Sequence, residues 1–226
     1  MKRYAIIVAG GSGSRFGSAV PKQFLPLAGL PVLMHTISRF TDAGATVVLA
    51  LPKSQIGYWK ALCLQYRFLA RVTIVEGGDT RFGSVKNAIS AITPAADDLV
   101  AIHDGVRPLV SHQVIENAYA EAAIHGNAIP VVPVTDSIRQ TGTDGESHAI
   151  DRSSLVAVQT PQVFNAKALQ AAYAASYDPT FTDDASVIEH AGHSIHLVKG
   201  DTSNIKITHP DDIKIAEILL QNGASR

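Results

Sequence analysis

The chain has 226 residues, 46% of them hydrophobic, with 19 Lys plus Arg against 20 Asp plus Glu and a formal net charge of −1. That apolar share supports a sizeable core and excludes wholesale disorder, and the length fits one α/β domain with room for one elaboration. The charge balance offers no basic excess for nucleic acid or an anionic membrane, so an anionic ligand must meet a local cluster of cations.

The N-terminus reads Met1-Lys2-Arg3 and then the apolar run Tyr4–Ala9. The run is too short for a secretion signal, and no stretch approaches the roughly 20 apolar residues of a membrane span. Tyr4–Val8 reads as a buried strand that enters a glycine-rich loop. Helix Val32–Phe40, strand Thr46–Leu51, helix Ser54–Phe68 and strand Val72–Val75 follow. Next come helix Ser84–Ile92, strand Leu99–Ile102, helix His112–His125 and strand Ala128–Val132. Apolar runs without clean alternation suit strands covered on both faces. The order predicts an α/β fold, a Rossmann-like and mostly parallel sheet flanked by helices, with ligands beyond the carboxyl ends of the strands.

Residues 133 to 162 break this rhythm. Gly142, Asp144, Gly145 and Ser147 mark a turn between extended pieces, so about 133–158 reads as a β-hairpin arm. The flank Leu155–Val158 is apolar with no obvious place in the main sheet, and a dimer arm is the preferred reading, giving a homodimer. Helices Ala166–Ala175 and Asp183–Ala191, strands Ser194–Val198 and Asn204–Thr208, and helix Asp211–Gln221 complete a single domain over 1–226. Cys63 is the one cysteine, which excludes an intrachain disulfide. It reads as a small buried thiol, and a reducing, cytoplasmic location is expected.

The first loop runs from Val8 to Gln23. It lacks the Gly-Lys-Ser/Thr of a Walker loop. A dinucleotide pattern begins at Gly11 and Gly13 but has Phe16 at its third position. Leu51-Pro52-Lys53 also lacks the acidic ribose ligand expected for NAD. What remains is a glycine loop carrying Arg15 and Lys22. Glycines let backbone N–H groups approach phosphates, and the two cations suit a triphosphate and the charge developing at its α-phosphorus. Asp104 follows an apolar strand and suits a Mg²⁺ ligand, with phosphates and water completing the octahedron. A partnership with Arg107 is its plainer alternative.

Gly11, Gly13, Arg15, Pro21 and Lys22 resemble a nucleotidyltransferase signature, and Pro21 to Leu27 narrows the resemblance to the 2-C-methyl-D-erythritol 4-phosphate cytidylyltransferase family. Further blocks agree in order along nearly the whole chain: Gly77–Arg81 with Ser84-Val85, His103–Pro108, Asp151-Arg152, Gln159–Gln162, Thr182–Ala185 and Asn204–Thr208. Ala9-Gly10-Gly11, Gly105-Val106 and Ser137 depart from the usual residues while keeping the charged groups. The similar ribitol-5-phosphate cytidylyltransferases rank second.

The resemblance implies transfer of CMP from CTP to a small polyol phosphate, with magnesium or another divalent ion and release of pyrophosphate. It adds Lys206 to Arg15 and Lys22 at the α-phosphorus. Ala9, Gly10, Gly11, Gly13, Gly78, Asp79, Ser84, Asp104 and Gly105 form the implied CTP set. Arg107, Ser137, Arg152, Thr160 and Thr182 form the implied acceptor set, with Ser137 and Arg152 reaching a neighbouring subunit. Asp79 and Thr182 could instead cap the helices that follow them. His103 reads as structural and Trp59 as packing. His190, His193 and His196 are spaced by three, but Gly192 interrupts any helix and no zinc site is expected. An NAD oxidoreductase and a catalytically inactive nucleotide-binding module are the competing readings. The first is disfavoured by Phe16, the second by the joint presence of Arg15, Lys22, Asp104 and Lys206.

Overall fold

A computed structural model describes residues 1–10 and 20–223. Strand β1 (Arg3–Val8) opens the chain, and the short pair β2 (Pro26–Leu27) and β3 (Leu30–Pro31) leads into helix α1 (Val32–Asp42). Then follow β4 (Thr46–Leu51), α2 (Lys53–Gln65), β5 (Val72–Glu76), α3 (Arg81–Ser90), β6 (Leu99–Asp104), α4 (His112–His125) and β7 (Asn127–Pro133). The hairpin of β8 (Ile138–Thr141) and β9 (Ser147–Ile150) comes next, followed by β10 (Val156–Val158) and β11 (Gln162–Asn165). Helices α5 (Ala166–Ala172) and α6 (Asp184–His190), strand β12 (Leu197–Lys199) and helix α7 (Asp211–Gly223) end the chain.

Strands β5, β4, β1 and β6 are parallel neighbours in that order. Strand β11 runs antiparallel to β6 on one side and to β7 on the other. Strand β12 pairs parallel with β7. Successive side chains on a strand point to opposite faces, and both faces are buried. Ala5, Ile7, Val47, Leu49, Leu99 and Ala101 pack with Leu33, Phe40, Trp59 and Ile115 of α1, α2 and α4. Tyr4, Ile6, Val48, Val100 and Ile102 pack with Val85, Leu169 and Ile188 of α3, α5 and α6. Two covered faces explain why these strands read as continuous apolar runs. A third core of Leu27, Val32, Val106, Leu109, Ile207 and Ala216 seats α7 beside the site.

The expected mostly parallel sheet is present, with β11 antiparallel between β6 and β7 because it pairs with both. Two expectations are corrected here. The apolar flank Leu155–Val158 does have a place in the sheet: Val156–Val158 pairs antiparallel with β7. Asn204–Thr208 is not a strand. Its alternation arises because Ile207 is fully buried in the third core and Lys206 is exposed, while Ile207 N–H donates to Val106 C=O at 2.9 Å.

Strands β10 and β11 follow one side of β7 with an interruption. Val158 lies opposite Val131 and Val163 opposite Ala128, and Gln159 N–H still donates to Pro130 C=O at 2.8 Å, so the chain bulges away from β7 at Thr160-Pro161. That bulge delivers Thr160 to the end of β6.

Candidate active site

The site lies where β1 and β6 end, as expected of ligand clefts in open α/β sheets. Gly105 permits this convergence. Its N–H donates to Val8 C=O at 2.9 Å, and a Cβ there would come within 2.8 Å of Ala9 Cβ. Gly105 thus sits beneath the floor of the site, against Ala9 and Leu33. Gln23, 1% exposed, donates from Nε2 to Ala9 C=O at 2.9 Å and steadies the stem of the loop.

Two cavities open at this point. One, of about 290 Å³, is lined by Ala9, Gly10, Lys22, Gly78, Asp79 and Ser84. The other, of about 320 Å³, is lined by Arg107, Gln159, Thr160, Thr182 and Asp183. Both share Arg81, Asp104 and Lys206 as a common wall. Ala9, Gly10, Gly78, Asp79 and Ser84 of the inferred nucleotide group and Arg107, Thr160 and Thr182 of the inferred acceptor group therefore lie on either side of one charge cluster.

Asp104 is the centre of that cluster, with its side chain only 12% exposed. Arg81 Nη1 meets Oδ1 at 3.2 Å, while Arg107 Nε at 3.2 Å and Lys206 Nζ at 2.9 Å meet Oδ2. Burial would push the Asp104 carboxyl up, but Arg81, Lys206 and Arg107 together outweigh it and hold it below the ordinary carboxylate range. Arg81 also pairs with the buried Asp184, which accepts from Tyr173 O–H at 2.6 Å. Burial would disfavour the charged guanidinium, yet Asp184 and Asp104 raise its pKa above the usual value. Arg107 Nη1 donates to Asn204 C=O at 2.8 Å, and Lys22 Nζ donates to Ile207 C=O at 2.9 Å. Thus Lys22 and Lys206 converge on one short segment.

Behind Asp104, Thr160 and His103 form a directed chain. Asp104 N–H donates to Thr160 Oγ1 at 3.1 Å, and Thr160 Oγ1 is 3.0 Å from His103 Nδ1. His103 Nε2 is 3.1 Å from Arg107 C=O. A carbonyl can only accept, so Nε2 carries the proton and Nδ1 accepts from the Thr160 hydroxyl. Burial lowers the His103 pKa to about 3, which keeps the ring neutral. The expected structural role of His103 fits this position.

On the first cavity's wall, Ser84 is buried and ties the glycine turn. Its Oγ accepts from Gly78 N–H at 3.1 Å and donates to Thr80 C=O at 2.9 Å. Thr80 caps α3 by accepting from Gly83 N–H at 3.0 Å, so Asp79 is left exposed on the wall. Similarly, Asp183 caps α6, and Thr182 stays exposed beside the second cavity. Ser137 and Arg152 lie on the exposed arm, line neither cavity, and Arg152 donates to Thr135 C=O. Gly11, Gly13 and Arg15 fall outside the described residues.

The sequence alone assigns no role to Arg81, Asp184 and Tyr173. Arg81 stands in the Gly77–Arg81 block, but its bridge between two carboxylates is a tertiary contact that no spacing encodes. Trp59 is 1% exposed and packs on Phe24, as expected of a core residue. Asp104 belongs to no group of three metal-ligating side chains among the described residues. Among the described residues Oδ1 meets one cation, Arg81, so Asp104 suits a divalent ion as one point of attachment, with phosphate and water supplying the rest. Among the described residues, no helix is long and apolar enough to cross a membrane.

Residues 4–222 match the family model described as 2-C-methyl-D-erythritol 4-phosphate cytidylyltransferase. The protein of that name from Porphyromonas gingivalis is 48% identical over 220 residues, covering 97% of this chain and 98% of its own. That from Bacteroides thetaiotaomicron is 47% identical over 222 residues, covering 97% and 100%. The crystal structure of the Francisella tularensis enzyme of that name is similar with a TM-score of 0.81 at 28% identity, over 96% of this chain and 99% of that one. The Thermus thermophilus enzyme gives 0.76 at 29% identity, over 98% and 100%.

Proposed function

The chain belongs to the 2-C-methyl-D-erythritol 4-phosphate cytidylyltransferase family, and from that premise we propose that it transfers CMP from CTP to 2-C-methyl-D-erythritol 4-phosphate. The products are 4-diphosphocytidyl-2-C-methyl-D-erythritol and pyrophosphate. The observation that carries this reading is the pair of cavities meeting at Arg81, Asp104 and Lys206. Two polyanions held side by side need such a shared cationic wall.

An oxygen of the acceptor phosphate forms the new bond to the α-phosphorus, and the bond from that phosphorus to the bridging oxygen of the leaving pyrophosphate breaks. A phosphate monoester has a second pKa of about 6, so the nucleophile is already anionic and needs no general base. The obstacle is charge repulsion, and the chain answers with positioning and fixed cations. Arg15 and Lys22 hold the triphosphate, and Lys206, half exposed on a segment anchored by Ile207, turns its ammonium to the phosphorus. Asp104 would hold a divalent ion carried on the triphosphate, and that ion would neutralise phosphate charge when bound. Ala9, Gly10, Gly11, Gly13 and the Ser84-braced Gly78–Asp79 turn form the nucleotide wall. Gly105 acts one layer below, by letting β1 and β6 close together.

Arg107 and Thr182 receive the acceptor phosphate within the chain, and Thr160 lines the same cavity while its hydroxyl, donated to His103 Nδ1, holds the Asp104 backbone in place. Ser137 and Arg152 complete the site from the arm of a second copy, which makes the homodimer the active unit. The whole chain, 1–226, works as one nucleotidyltransferase domain with its arm at about 133–158, and a cytoplasmic enzyme agrees with its nucleotide co-substrate and lone thiol.

A pyrophosphate-release assay with CTP and magnesium tests this directly. Turnover is expected with methylerythritol phosphate and to be far slower with ribitol 5-phosphate. Preference for ribitol 5-phosphate, or tight CTP binding without product from either acceptor, would overturn the proposal.

A further inference from the structure

Away from the active site, Glu121 and His125 stand one turn apart on α4, and His196 meets them from the residue before β12. Glu121 Oε2 lies 3.4 Å from His125 Nε2 and 3.2 Å from His196 Nε2. Ligand atoms of the three side chains fall within 4.8 Å of one another. The two imidazole rings stack with centroids 3.7 Å apart and planes 16° apart.

The backbone beneath them is built to hold this arrangement. Gly126 ends α4 with φ of 84°, in the left-handed conformation that glycine tolerates, and turns the chain into β7. Asn127, 6% exposed, accepts from His196 N–H at 2.8 Å and donates to Ser194 C=O at 2.9 Å. His196 C=O in turn accepts from Ile129 N–H at 2.9 Å. His196 is therefore fixed through its N–H and its C=O against the end of the helix that carries the other two ligands. The sequence trio of His190, His193 and His196 is not the relevant group, since His190 packs edge-on against Phe181.

We propose that Glu121, His125 and His196 bind a divalent transition metal ion, with zinc the best match. Two imidazole nitrogens and one carboxylate oxygen suit zinc and its neighbours rather than magnesium or calcium. Three protein ligands leave the fourth tetrahedral position to water. The side chains are 39%, 43% and 35% exposed, so an ion enters without opening the fold. Both rings must tilt out of their stack to aim Nε2 at one ion, which half-exposed side chains do by rotating about their own torsions. The bound ion would clamp the last turn of α4 to β12.

The test uses the whole chain, residues 1–226, freed of metal by chelation. Zinc chloride titrated calorimetrically is expected to bind at one ion per chain. Cobalt chloride is expected to give the visible absorption of a tetrahedral site, and zinc to raise the melting temperature. His125→Ala and His196→Ala should each weaken zinc binding at least about tenfold and remove the cobalt spectrum, while cytidylyl transfer with magnesium is unchanged. His125 is exposed, so its variant is expected to fold even if His196→Ala does not. No zinc binding near one equivalent, or equal binding by wild type and His125→Ala, would overturn the site.

Discussion

Lys206 Nζ sits 2.9 Å from Asp104 Oδ2, although the two residues come from distant segments brought together only in the fold. Asp104 ends a fully buried strand; Lys206 precedes an isoleucine sealed into the third core. One buried carboxylate thereby restrains three cations at the seam between two cavities. A charge this enclosed matters mainly when a partner is missing, because an uncompensated buried ion costs more than the pair contributes.

Asp104→Asn removes the charge and keeps the shape, leaving Arg81 and Arg107 facing each other without it. Stability is expected to fall by about 3 kcal/mol, read from urea midpoints. The magnesium concentration needed for half-maximal turnover should rise. A variant with unchanged stability would show that the cluster is not coupled as its distances imply.

Gly105→Ala puts a Cβ within 2.8 Å of Ala9 Cβ and 3.2 Å of Val8 C=O. A loss of about 1–3 kcal/mol is expected, with weaker CTP binding as the loop stem shifts. Gly57→Ala, inside α2 with no described atom beyond its own helix backbone within 4 Å of a Cβ there, should instead gain up to about 1 kcal/mol. Thermal melts of the two variants give opposite signs if the close approach at Gly105 is real.

Arg152→Ala should raise the acceptor KM and leave CTP affinity nearly intact. Mixing it with Lys206→Ala subunits gives a sharper result. If the arm serves the neighbouring site, each mixed dimer holds one complete site, and an equimolar mixture reassociated at random regains about a quarter of wild-type activity. No recovery on mixing would place Arg152 outside the partner's site.

His103 supplies a pH dependence with a definite sign. The unfolded chain protonates this ring at about 6.5, whereas burial lowers the folded value to about 3. Between those values the unfolded state binds more protons, so stability is full above the window and declines as pH falls through it. From pH 7 to pH 5 the expected loss is about 2 kcal/mol. Asp104, with its depressed pKa, adds a loss of the same sign at still lower pH. His103→Gln should flatten the slope between pH 7 and pH 5; an unchanged slope would assign it to other groups.

The parallel half of the sheet was legible because β1, β4 and β6 are apolar on both faces, a pattern few other arrangements allow. Strand β11 was not, because Gln162-Val163-Phe164-Asn165 is only four residues long and its place depends on pairing with two distant strands. The alternation of Ile205, Lys206 and Ile207 suggested a strand, when the buried positions answer to α7 and its core. Asp104, Lys22 and Lys206 were recognisable one by one through their motifs. Their convergence, and the bridge from Arg81 to Asp184, are tertiary facts. The caps at Thr80 and Asp183 each lie one residue from the candidates, Asp79 and Thr182, because neighbouring polar residues compete for the same helix end.

The central claim is that cations gathered at the seam accelerate attack on the α-phosphorus. Its most direct test is single-turnover transfer from CTP labelled at that phosphorus, at saturating acceptor, for wild type, Lys22→Ala and Lys206→Ala. Each variant is expected to slow the chemical step by at least about 100-fold while staying folded at the assay temperature, since Asp104 keeps Arg81 and Arg107 when Lys206 is removed. A chemical step at the wild-type rate in either variant would contradict the account.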